Sequence, residues 1–407
     1  ILRCLVGSEM CIRDRFEGSE YDKIPYSVVE CKEHIDEALK MARKSCVLLK
    51  NDGVLPIDKT KVNTIGVIGP NADSRAALIG NYHGTSSEYI TVLEGIREEA
   101  GDDVRILYSQ GCDLYKDKVE NLAWDQDRIS EAVITAENSD VVILCVGLDE
   151  TLEGEEGDTG NSDASGDKVD LHLPKVQEEL IEKVTAVGKP TIVVLMAGSA
   201  IDLNYAQDNC NGILLAWYPG ARGGRAIADL LFGKESPSGK LPITFYKDLE
   251  GMPEFTDYSM KNRTYRYMEK EALYPFGYGL TYSDTCVTEA EVVGEVSAES
   301  DIVLKATVKN NGTVDTDEVV QVYIKDLDSP LAVRNYSLCG FKRVSLKAGE
   351  EKSVEFTISN KAMNIVDEDG NRYIAGKHFR LFAGVSQPDT RSAELTGHKP
   401  AEIEIAL

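Results

Sequence analysis

The sequence lacks metal-binding cysteine spacings, a long apolar run and an excess of positive charge. Its nine cysteines form no C-x-x-C pair and no cluster with histidine, so we expect no metal site and no cofactor. No stretch approaches the roughly 20 apolar residues that cross a bilayer. Asp and Glu number 69 against 44 Lys and Arg, a formal net charge of -25. Such a surface repels phosphate, so we expect neither nucleic acid nor a membrane as partner, whereas a neutral sugar is compatible.

An odd number of scattered cysteines indicates a reducing compartment rather than a disulfide framework, and we predict a cytoplasmic, bacterial protein. Residues 1–15 (ILRCLVGSEMCIRDR) share no pattern with the rest of the chain and show no charged-then-apolar leader. We expect this segment to be a non-native artefact of sequence assembly. The chain is accordingly expected to be a fragment of a longer protein.

Apolar runs of strand length alternate with amphipathic helical segments over the first two thirds of the chain. Strands are predicted at Thr64–Ile68, Val104–Tyr108, Val141–Val146, Thr191–Met196 and Gly212–Trp217. Helices are predicted at Cys31–Leu49, Ile129–Glu137, Lys175–Val187 and near Gly224–Phe232. The apolar runs are continuous, which indicates strands covered on both faces, as in a parallel sheet. We therefore predict an α/β fold, a layered α/β sandwich with a mostly parallel sheet at 46–285, after an N-terminal segment and linker helix at 1–45.

The pattern changes to strict alternation of apolar and polar residues after about residue 285. Ile302–Asn310, Glu318–Lys325 and Lys352–Ile358 alternate, with the turn signals Asn311-Gly312 and Asp369-Gly370 between such runs. This pattern predicts a fibronectin type III-like β-sandwich at 291–390 with a structural role. Its apolar face is predicted to consist of Leu304, Ala306, Val308, Val320, Val322, Ile324, Val354, Phe356 and Ile358. Between the domains, the aromatic segment Tyr274–Tyr282 is expected to pack against the α/β layer.

The loop after Val141–Val146 is the most acidic segment of the chain. Its carboxylates are Asp149, Glu150, Glu153, Glu155, Glu156, Asp158, Asp163 and Asp167. Loops at the carboxyl ends of parallel strands form the ligand crevice. A solvated acidic loop, a cation site and a carboxylate acting as proton donor are the three interpretations, and the absence of a D-x-[DN]-x-[DN]-G loop disfavours the second.

Two other features are candidates for function. The glycine-rich turns at Tyr218–Gly224 and Gly66–Asn71 do not match G-x-G-x-x-G, so they support a nucleotide site only weakly and more simply indicate close strand–helix packing. Among five histidines, His83 in the run Gly80–Gly84 is the one of interest, because it follows a strand–loop–helix passage.

Several longer motifs occur together and in order. They include ARKSCVLLKNDGVLPI (Ala42–Ile57), LIGNYHG (Leu78–Gly84), VGLDETLEGEE (Val146–Glu156), AWYPGARGGRAIADLLFG (Ala216–Gly233), YPFGYGLTY (Tyr274–Tyr282), VVQVYIKD (Val319–Asp326) and LCGFKRVSLKAGE (Leu338–Glu350). Together they resemble the carboxyl-terminal part of a glycoside hydrolase of family 3, the β-glucosidase and β-xylosidase family, from about Tyr21 to Val385. The motif GLDETLEGE resembles the β-xylosidase branch of the family more than the fungal β-glucosidase branch.

The resemblance implies an active site shared between two domains. In the family, an amino-terminal barrel carries the aspartate nucleophile, often in a Ser-Asp-Trp context, and neither Trp124 nor Trp217 follows Ser-Asp here. The α/β domain brings an acid/base glutamate over that barrel, which is therefore the expected missing partner. Related sequences often have Asp-Arg after the acidic motif, where this chain has Asp167-Lys168, so the anchoring of the loop is expected to differ.

The resemblance places the proton donor in the stretch Leu152–Glu155, so Glu153 and Glu155 are the candidate catalytic residues. In an extended loop they would face the same side. Spacing from Gly147 favours Glu153 and spacing to Asp158 favours Glu155, and both stay open. His83 and Asp149 are candidates for substrate binding, while Asp149, like Glu150 and Glu156, is also a candidate loop anchor.

The leading functional hypothesis is a retaining β-glycosidase that removes terminal β-linked xylose or glucose from oligosaccharides or other β-glycosides. This chain would supply the acid/base carboxylate but not the nucleophile, so we predict that it is inactive alone. The alternative is a non-catalytic carbohydrate-binding or structural module. A nucleotide-binding α/β domain is a third hypothesis, which the absence of phosphate loops disfavours.

Overall fold

The computed structural model describes residues 20–116, 124, 126–155 and 168–407. Its first domain is built on a six-stranded sheet in the spatial order β1-β6-β5-β4-β2-β3. The strands are β1 (Val47–Asn51), β2 (Thr64–Ile68), β3 (Arg105–Ser109), β4 (Val141–Gly147), β5 (Thr191–Met196) and β6 (Gly212–Leu215). All neighbours are parallel except the edge pair β1 and β6, which is antiparallel. The predicted layered α/β fold with a mostly parallel sheet is confirmed.

Helices cover the two faces of this sheet. They are α1 (Lys32–Ser45), α2 (Ala76–Ile79), α3 (Val92–Ala100), α4 (Asp127–Glu137), α5 (Lys175–Thr185), α6 (Asn204–Asn209) and α7 (Gly223–Leu231). A further helix, α8 (Thr264–Tyr267), packs its Tyr265 against Tyr323 and Tyr336 of the second domain instead. Alternate residues of β4 belong to two separate cores: Val142 and Leu144 pack into one, Ile143 and Cys145 into the other. Every residue of β4 is buried. A continuously apolar run is therefore a strand covered on both faces, as predicted.

The first predicted helix, Cys31–Leu49, is wrong at its carboxyl end. The helix stops at Ser45, and Val47 begins the edge strand β1. Val47, Leu48 and Leu49 are all buried. Three consecutive buried side chains do not lie on one face of a helix, whereas a strand covered on both faces buries all of them.

The second domain is a sandwich of a four-stranded and a three-stranded antiparallel sheet, with a short two-stranded sheet beside them. The strand orders are β10-β9-β14-β15, β11-β8-β7 and β12-β13. The strands are β7 (Thr285–Val293), β8 (Ile302–Asn310), β9 (Thr316–Asp326), β10 (Ser337–Leu346), β11 (Glu351–Ile358), β12 (Asn364–Val366), β13 (Arg372–Ile374), β14 (His378–Gly384) and β15 (Ala401–Ala406), with helix α9 (Thr390–Thr396) before the last. All nine side chains of the predicted apolar face lie in its core. The fibronectin type III-like sandwich is confirmed as a fold, and the predicted domain bounds stay a prediction.

The segment Tyr274–Tyr282, called the strap below, joins the two domains. Tyr274 and Tyr278 stack with ring centroids 5.8 Å apart inside the core of the first domain, as predicted. The Tyr278 hydroxyl donates to the Leu49 carbonyl at 2.9 Å. On the other side, Gln321 of β9 donates to the Gly277 carbonyl at 2.9 Å. The domains are therefore docked through this segment rather than loosely tethered.

Candidate active site

The acidic turn begins where β4 ends, and a buried glutamine fixes that end. The side-chain oxygen of Gln177 accepts from the Gly147 N–H at 2.8 Å, and its amide nitrogen donates to the Gly147 carbonyl at 2.8 Å. The next residue, Leu148, donates its N–H to the Met196 carbonyl of β5. The first residues of the loop are thus held at the carboxyl edge of the parallel sheet, where ligand crevices form.

Asp149 folds the loop into a turn. Its Oδ1 accepts from the Thr151 N–H at 2.8 Å and from the Thr151 hydroxyl at 2.6 Å, a local Asx turn. Its carbonyl accepts from the N–H groups of Leu152 and Glu153. Asp149 is 9% exposed and its carboxylate bonds to another residue of the loop. This agrees with the interpretation of Asp149 as a loop anchor. The extended loop assumed from the sequence is wrong between 149 and 153, because this turn reverses the chain.

Glu153 is held by two donors from neighbouring strand ends. Its Oε2 accepts from the Gly198 N–H after β5 and from the Tyr218 hydroxyl after β6, each at 2.7 Å. The Tyr218 ring passes close to two glycines: a Cβ at Gly80 would lie 2.6 Å from the ring and one at Gly198 3.1 Å. A side chain at Gly80 would overlap the ring, and one at Gly198 would crowd it. Both glycines therefore help the Tyr218 ring to reach Glu153.

Burial and the charge of Glu153 act together on the pKa of Tyr218 and against each other on the pKa of Lys168. Burial raises the pKa of the Tyr218 phenol, and the charge of Glu153 raises it further, so Tyr218 acts as a hydrogen-bond donor. Lys168 donates to the Ala200 carbonyl at 2.6 Å, and burial lowers its pKa while Glu153 works in the opposite direction. Lys168 is thus half-buried near Glu153, and it is the lysine that this chain has where related sequences often have the arginine of Asp-Arg.

Glu155 lies two residues beyond Glu153 at the exposed surface of the loop. The two candidate glutamates therefore differ in their surroundings: Glu153 is half-buried and accepts from two fixed donors, whereas Glu155 is exposed. The carboxylates Glu156, Asp158, Asp163 and Asp167, which the sequence also singled out, lie outside the described residues.

His83 contacts the same turn from a neighbouring loop. Its Nε2 lies 3.2 Å from Glu150 Oε2, and its Nδ1 donates to the Gly84 carbonyl at 2.9 Å. The hydrogen bond to Gly84 raises the pKa of His83, and Glu150 adds to the rise. The structure thus brings His83 to Glu150, the neighbour of Asp149, and places Glu153 with a different set of partners.

Sequence reasoning missed the partners of Glu153. Gly198 and Tyr218 lie 45 and 65 residues further along the chain, and neither has a positive charge that would suggest it as the partner of a carboxylate. The sequence analysis considered the turn Tyr218–Gly224 only as a glycine-rich turn and assigned no role to the tyrosine. One usable signal is that Tyr218 and Gly198 both follow predicted strands, as Glu153 does, and parallel strands meet at one edge. Across the described ranges, no group of three His, Cys, Asp or Glu side chains is arranged to hold a metal ion.

Comparisons with known proteins match a different family model to each of the two domains. A model described as the glycosyl hydrolase family 3 C-terminal domain matches residues 46–282, and one described as a fibronectin type III-like domain matches residues 318–387. The chain is 35% identical over 379 residues to a "Beta-xylosidase" of Formosa agariphila, covering 89% of this chain and 50% of that protein. It is 32% identical over 385 residues to a "Periplasmic beta-glucosidase" of Salmonella typhimurium, covering 88% and 49%.

Solved structures that superpose on most of this chain are named as a β-xylosidase and a β-glucosidase. A GH3 exo-beta-xylosidase in complex with a xylobiose aziridine activity-based probe superposes with a TM-score of 0.81 at 26% identity, covering 98% of this chain and 52% of that one. A β-glucosidase from Erythrobacter marinus gives 0.79 at 31% identity, covering 94% and 51%. The chain thus spans about half the length of the relatives it matches. Within the part that the structure describes, no helix reaches the length and apolarity needed to cross a bilayer.

Proposed function

The chain belongs to glycoside hydrolase family 3, and we propose that it is the part of a retaining β-glycosidase that supplies the acid/base carboxylate. The complete protein would remove terminal β-linked xylose or glucose from oligosaccharides or other β-glycosides. The nucleophile would come from the amino-terminal barrel that the family resemblance implies. Retention requires two carboxylates about 5–5.5 Å apart, so the acidic turn is expected to face that barrel.

We assign the acid/base role to Glu155 and an anchoring role to Glu153. The observation that carries this assignment is the pair of 2.7 Å hydrogen bonds from Gly198 and Tyr218 to one oxygen of Glu153. A proton donor has to reach the glycosidic oxygen of a bound substrate. One oxygen of the half-buried Glu153 is already engaged by two donors of the protein, whereas Glu155 is exposed.

The other candidates would support this turn. Asp149 holds its backbone through Thr151, and His83 restrains it through Glu150. Both were predicted as substrate-binding residues. His83 is partly exposed and stays a candidate for contact with the sugar, whereas the hydrogen bonds of Asp149 favour an indirect role.

The test compares Glu155→Gln with Glu153→Gln in the complete, barrel-containing enzyme. Loss of the true donor should lower turnover of an unactivated xyloside by about 10²-fold or more, the usual size of general acid–base catalysis. It should spare the glycosylation step of a substrate with a good leaving group, and azide should restore turnover. Glu153→Gln keeps an acceptor for Gly198 and Tyr218, so we expect a smaller loss without azide rescue.

The reverse pattern would transfer the acid role to Glu153. If neither substitution lowers turnover by about 10²-fold, the loop does not supply the acid. The chain of 407 residues by itself should hydrolyse neither xylosides nor glucosides, and measurable turnover by it would contradict the shared-site proposal. The cytoplasmic location predicted from cysteine usage stays a prediction beside the relative named periplasmic.

A further inference from the structure

Trp217 has a backbone conformation that is rare for a large side chain. Its φ is +56°, in the left-handed region, where a bulky residue is an outlier. The sheet pairing still continues at the residue before it, because the Ala216 N–H donates to the Leu195 carbonyl of β5 at 2.8 Å. The chain therefore leaves the sheet abruptly at Trp217, directly after β6 and directly before Tyr218.

The indole of Trp217 is held from two sides. Its Nε1 donates to the Ser45 carbonyl at the end of α1 at 3.1 Å. Its ring meets the ring of the fully buried Phe245 edge-on, with the centroids 6.5 Å apart. Phe245 packs in the same way against Tyr274 of the strap. A strained backbone conformation persists only where its surroundings hold it, and such strain is concentrated at functional sites.

The acceptor of the indole N–H, the carbonyl of Ser45, is itself in a fixed position. The two charged side chains just before it pair with different parts of the protein. Arg43 Nε donates to Asp229 of α7 at 2.8 Å, and Lys44 donates to Asp317 of β9 at 2.7 Å. The end of α1 is thus bonded to both domains, and the indole is bonded to a point that both domains hold.

The residue after Trp217 is an anchor of Glu153. The Tyr218 hydroxyl donates to Glu153 Oε2 at 2.7 Å. The Tyr218 ring lies so close to Gly80 that a Cβ there would be 2.6 Å away, so the ring has little freedom to swing. Its hydroxyl therefore reaches the carboxylate only if the backbone enters in the right direction, and that direction is set at Trp217.

We propose that Trp217 is a positioning residue for the acid/base step, which directs Tyr218 to Glu153 and thereby fixes the acidic turn. This inference rests on the proposed function, because the turn is the one assigned to supply the acid. The effect of Trp217 on the reaction would pass through the Tyr218 hydroxyl. Loss of the indole N–H should therefore weaken catalysis selectively, on substrates that depend on the acid.

The activity test uses the complete, barrel-containing enzyme with Trp217→Phe, which keeps a ring beside Phe245 and removes the donor to Ser45. We expect kcat/KM on a substrate with a poor leaving group to fall about three- to tenfold, the value of one neutral hydrogen bond. The fall on an activated substrate should be smaller. Trp124→Phe is the matched control, because it makes the same change at an exposed tryptophan, and it should alter neither rate.

A double variant decides whether Trp217 acts through its neighbour. If it does, Trp217→Phe changes nothing once Tyr218→Phe has removed the hydroxyl, so the double variant should match Tyr218→Phe alone. Losses that multiply would overturn the proposal. Equal losses on the two substrates would also overturn it, because they indicate a general effect on the fold.

NMR on the 407-residue chain tests the same link without turnover. The sequence has two tryptophans, so the indole N–H signals of Trp217 and Trp124 are easily told apart. Glu153→Gln should shift the Trp217 signal and leave that of Trp124 in place, a readout that keeps both indoles. In turn, Trp217→Phe should shift the amide signal of Gly198, the other donor to Glu153.

The two sets of results separate this proposal from the proposed function. Unchanged signals of the Trp217 indole and the Gly198 amide would overturn the positioning role, whatever the activities are. Shifted signals in a protein whose turnover survives both Glu153→Gln and Glu155→Gln would refute the proposed function and leave the link from Trp217 to Glu153 standing.

Discussion

Lys240 and Glu318 form an ion pair of 2.7 Å between the two domains, with side chains only 9% and 1% exposed. Both groups make further hydrogen bonds at the junction. Lys240 donates to the Gly279 carbonyl of the strap at 2.7 Å, and Glu318 accepts from the Thr285 hydroxyl at 2.6 Å. The two domains are therefore linked by a buried ion pair, and we expect this pair to help set the position of one domain on the other.

Lys240→Met should destabilise the protein strongly, because it leaves Glu318 buried without its opposite charge. We expect a loss of about 3–5 kcal/mol in the free energy of unfolding, measured with urea. The control is Lys347→Met, which removes an exposed pair with Asp315 and should cost less than about 1 kcal/mol. Equal effects of the two substitutions would show that the buried pair has no special role.

The junction should also weaken in acid through Asp317. Burial raises the pKa of this carboxyl, but hydrogen bonds from Lys44 and Ser345 outweigh burial and the pKa lies below its ordinary value. A carboxyl whose pKa is lower in the folded state stabilises the protein above the unfolded pKa of about 3.9, and this contribution is lost as the pH falls through the folded value. In Asp317→Asn, the free energy of unfolding should therefore fall less steeply as the pH is lowered below about pH 4. The hairpin variant Asp369→Asn is the control, and an unchanged slope in Asp317→Asn would contradict the prediction.

Tyr218 should act as a positioning residue in the complete enzyme. Tyr218→Phe removes one donor to Glu153, and we expect kcat/KM on a substrate with a poor leaving group to fall roughly tenfold, the value of a hydrogen bond to a charged group. The fall should be smaller on an activated substrate, since that substrate depends less on the acid. The control Tyr373→Phe removes a phenol from the sandwich and should change neither rate. Equal losses on both substrates would mean that Tyr218 acts on the fold rather than on the acidic turn.

Gly224 should be intolerant of a side chain because two helices meet there. A Cβ at Gly224 would lie 1.8 Å from the Thr91 carbonyl oxygen at the start of α3. Gly224→Ala should lower the free energy of unfolding by roughly 3 kcal/mol or more, because backbone cannot yield as a flexible side chain does. Gly84→Ala, where a Cβ meets open space, is the control and should be close to neutral. A mild effect of Gly224→Ala would show that α3 and α7 separate easily.

Sequence reasoning succeeded where the pattern of burial is local. Thr64–Ile68, Thr191–Met196 and Ile302–Asn310 are strands with the predicted bounds, because continuous and alternating apolar runs report directly on two-sided and one-sided burial. The glycines near Tyr218 were predicted to allow close packing, and Gly224 does so, but between two helices rather than between strand and helix.

It failed where partners are distant in sequence or where a short turn overrides the pattern. Val47 was assigned to a helix, because its pairing with Leu215 of β6 lies 168 positions away and leaves no local mark. The anchor of Glu153 was missed for the same reason. The turn at Asp149 does have a local signal, an aspartate two residues before a threonine, and an Asx turn could have been predicted from it.

The strap has a consequence for how such proteins can be recombined. It lies at the end of the α/β domain, ahead of the region matched as fibronectin type III-like, yet Tyr278 bonds to Leu49 and Gly277 bonds to Gln321. A chimera that exchanges only the carboxyl-terminal region has to keep a side chain able to reach the Gly277 carbonyl. The unit that evolution or an engineer can transplant intact is therefore longer than the unit that sequence families delimit.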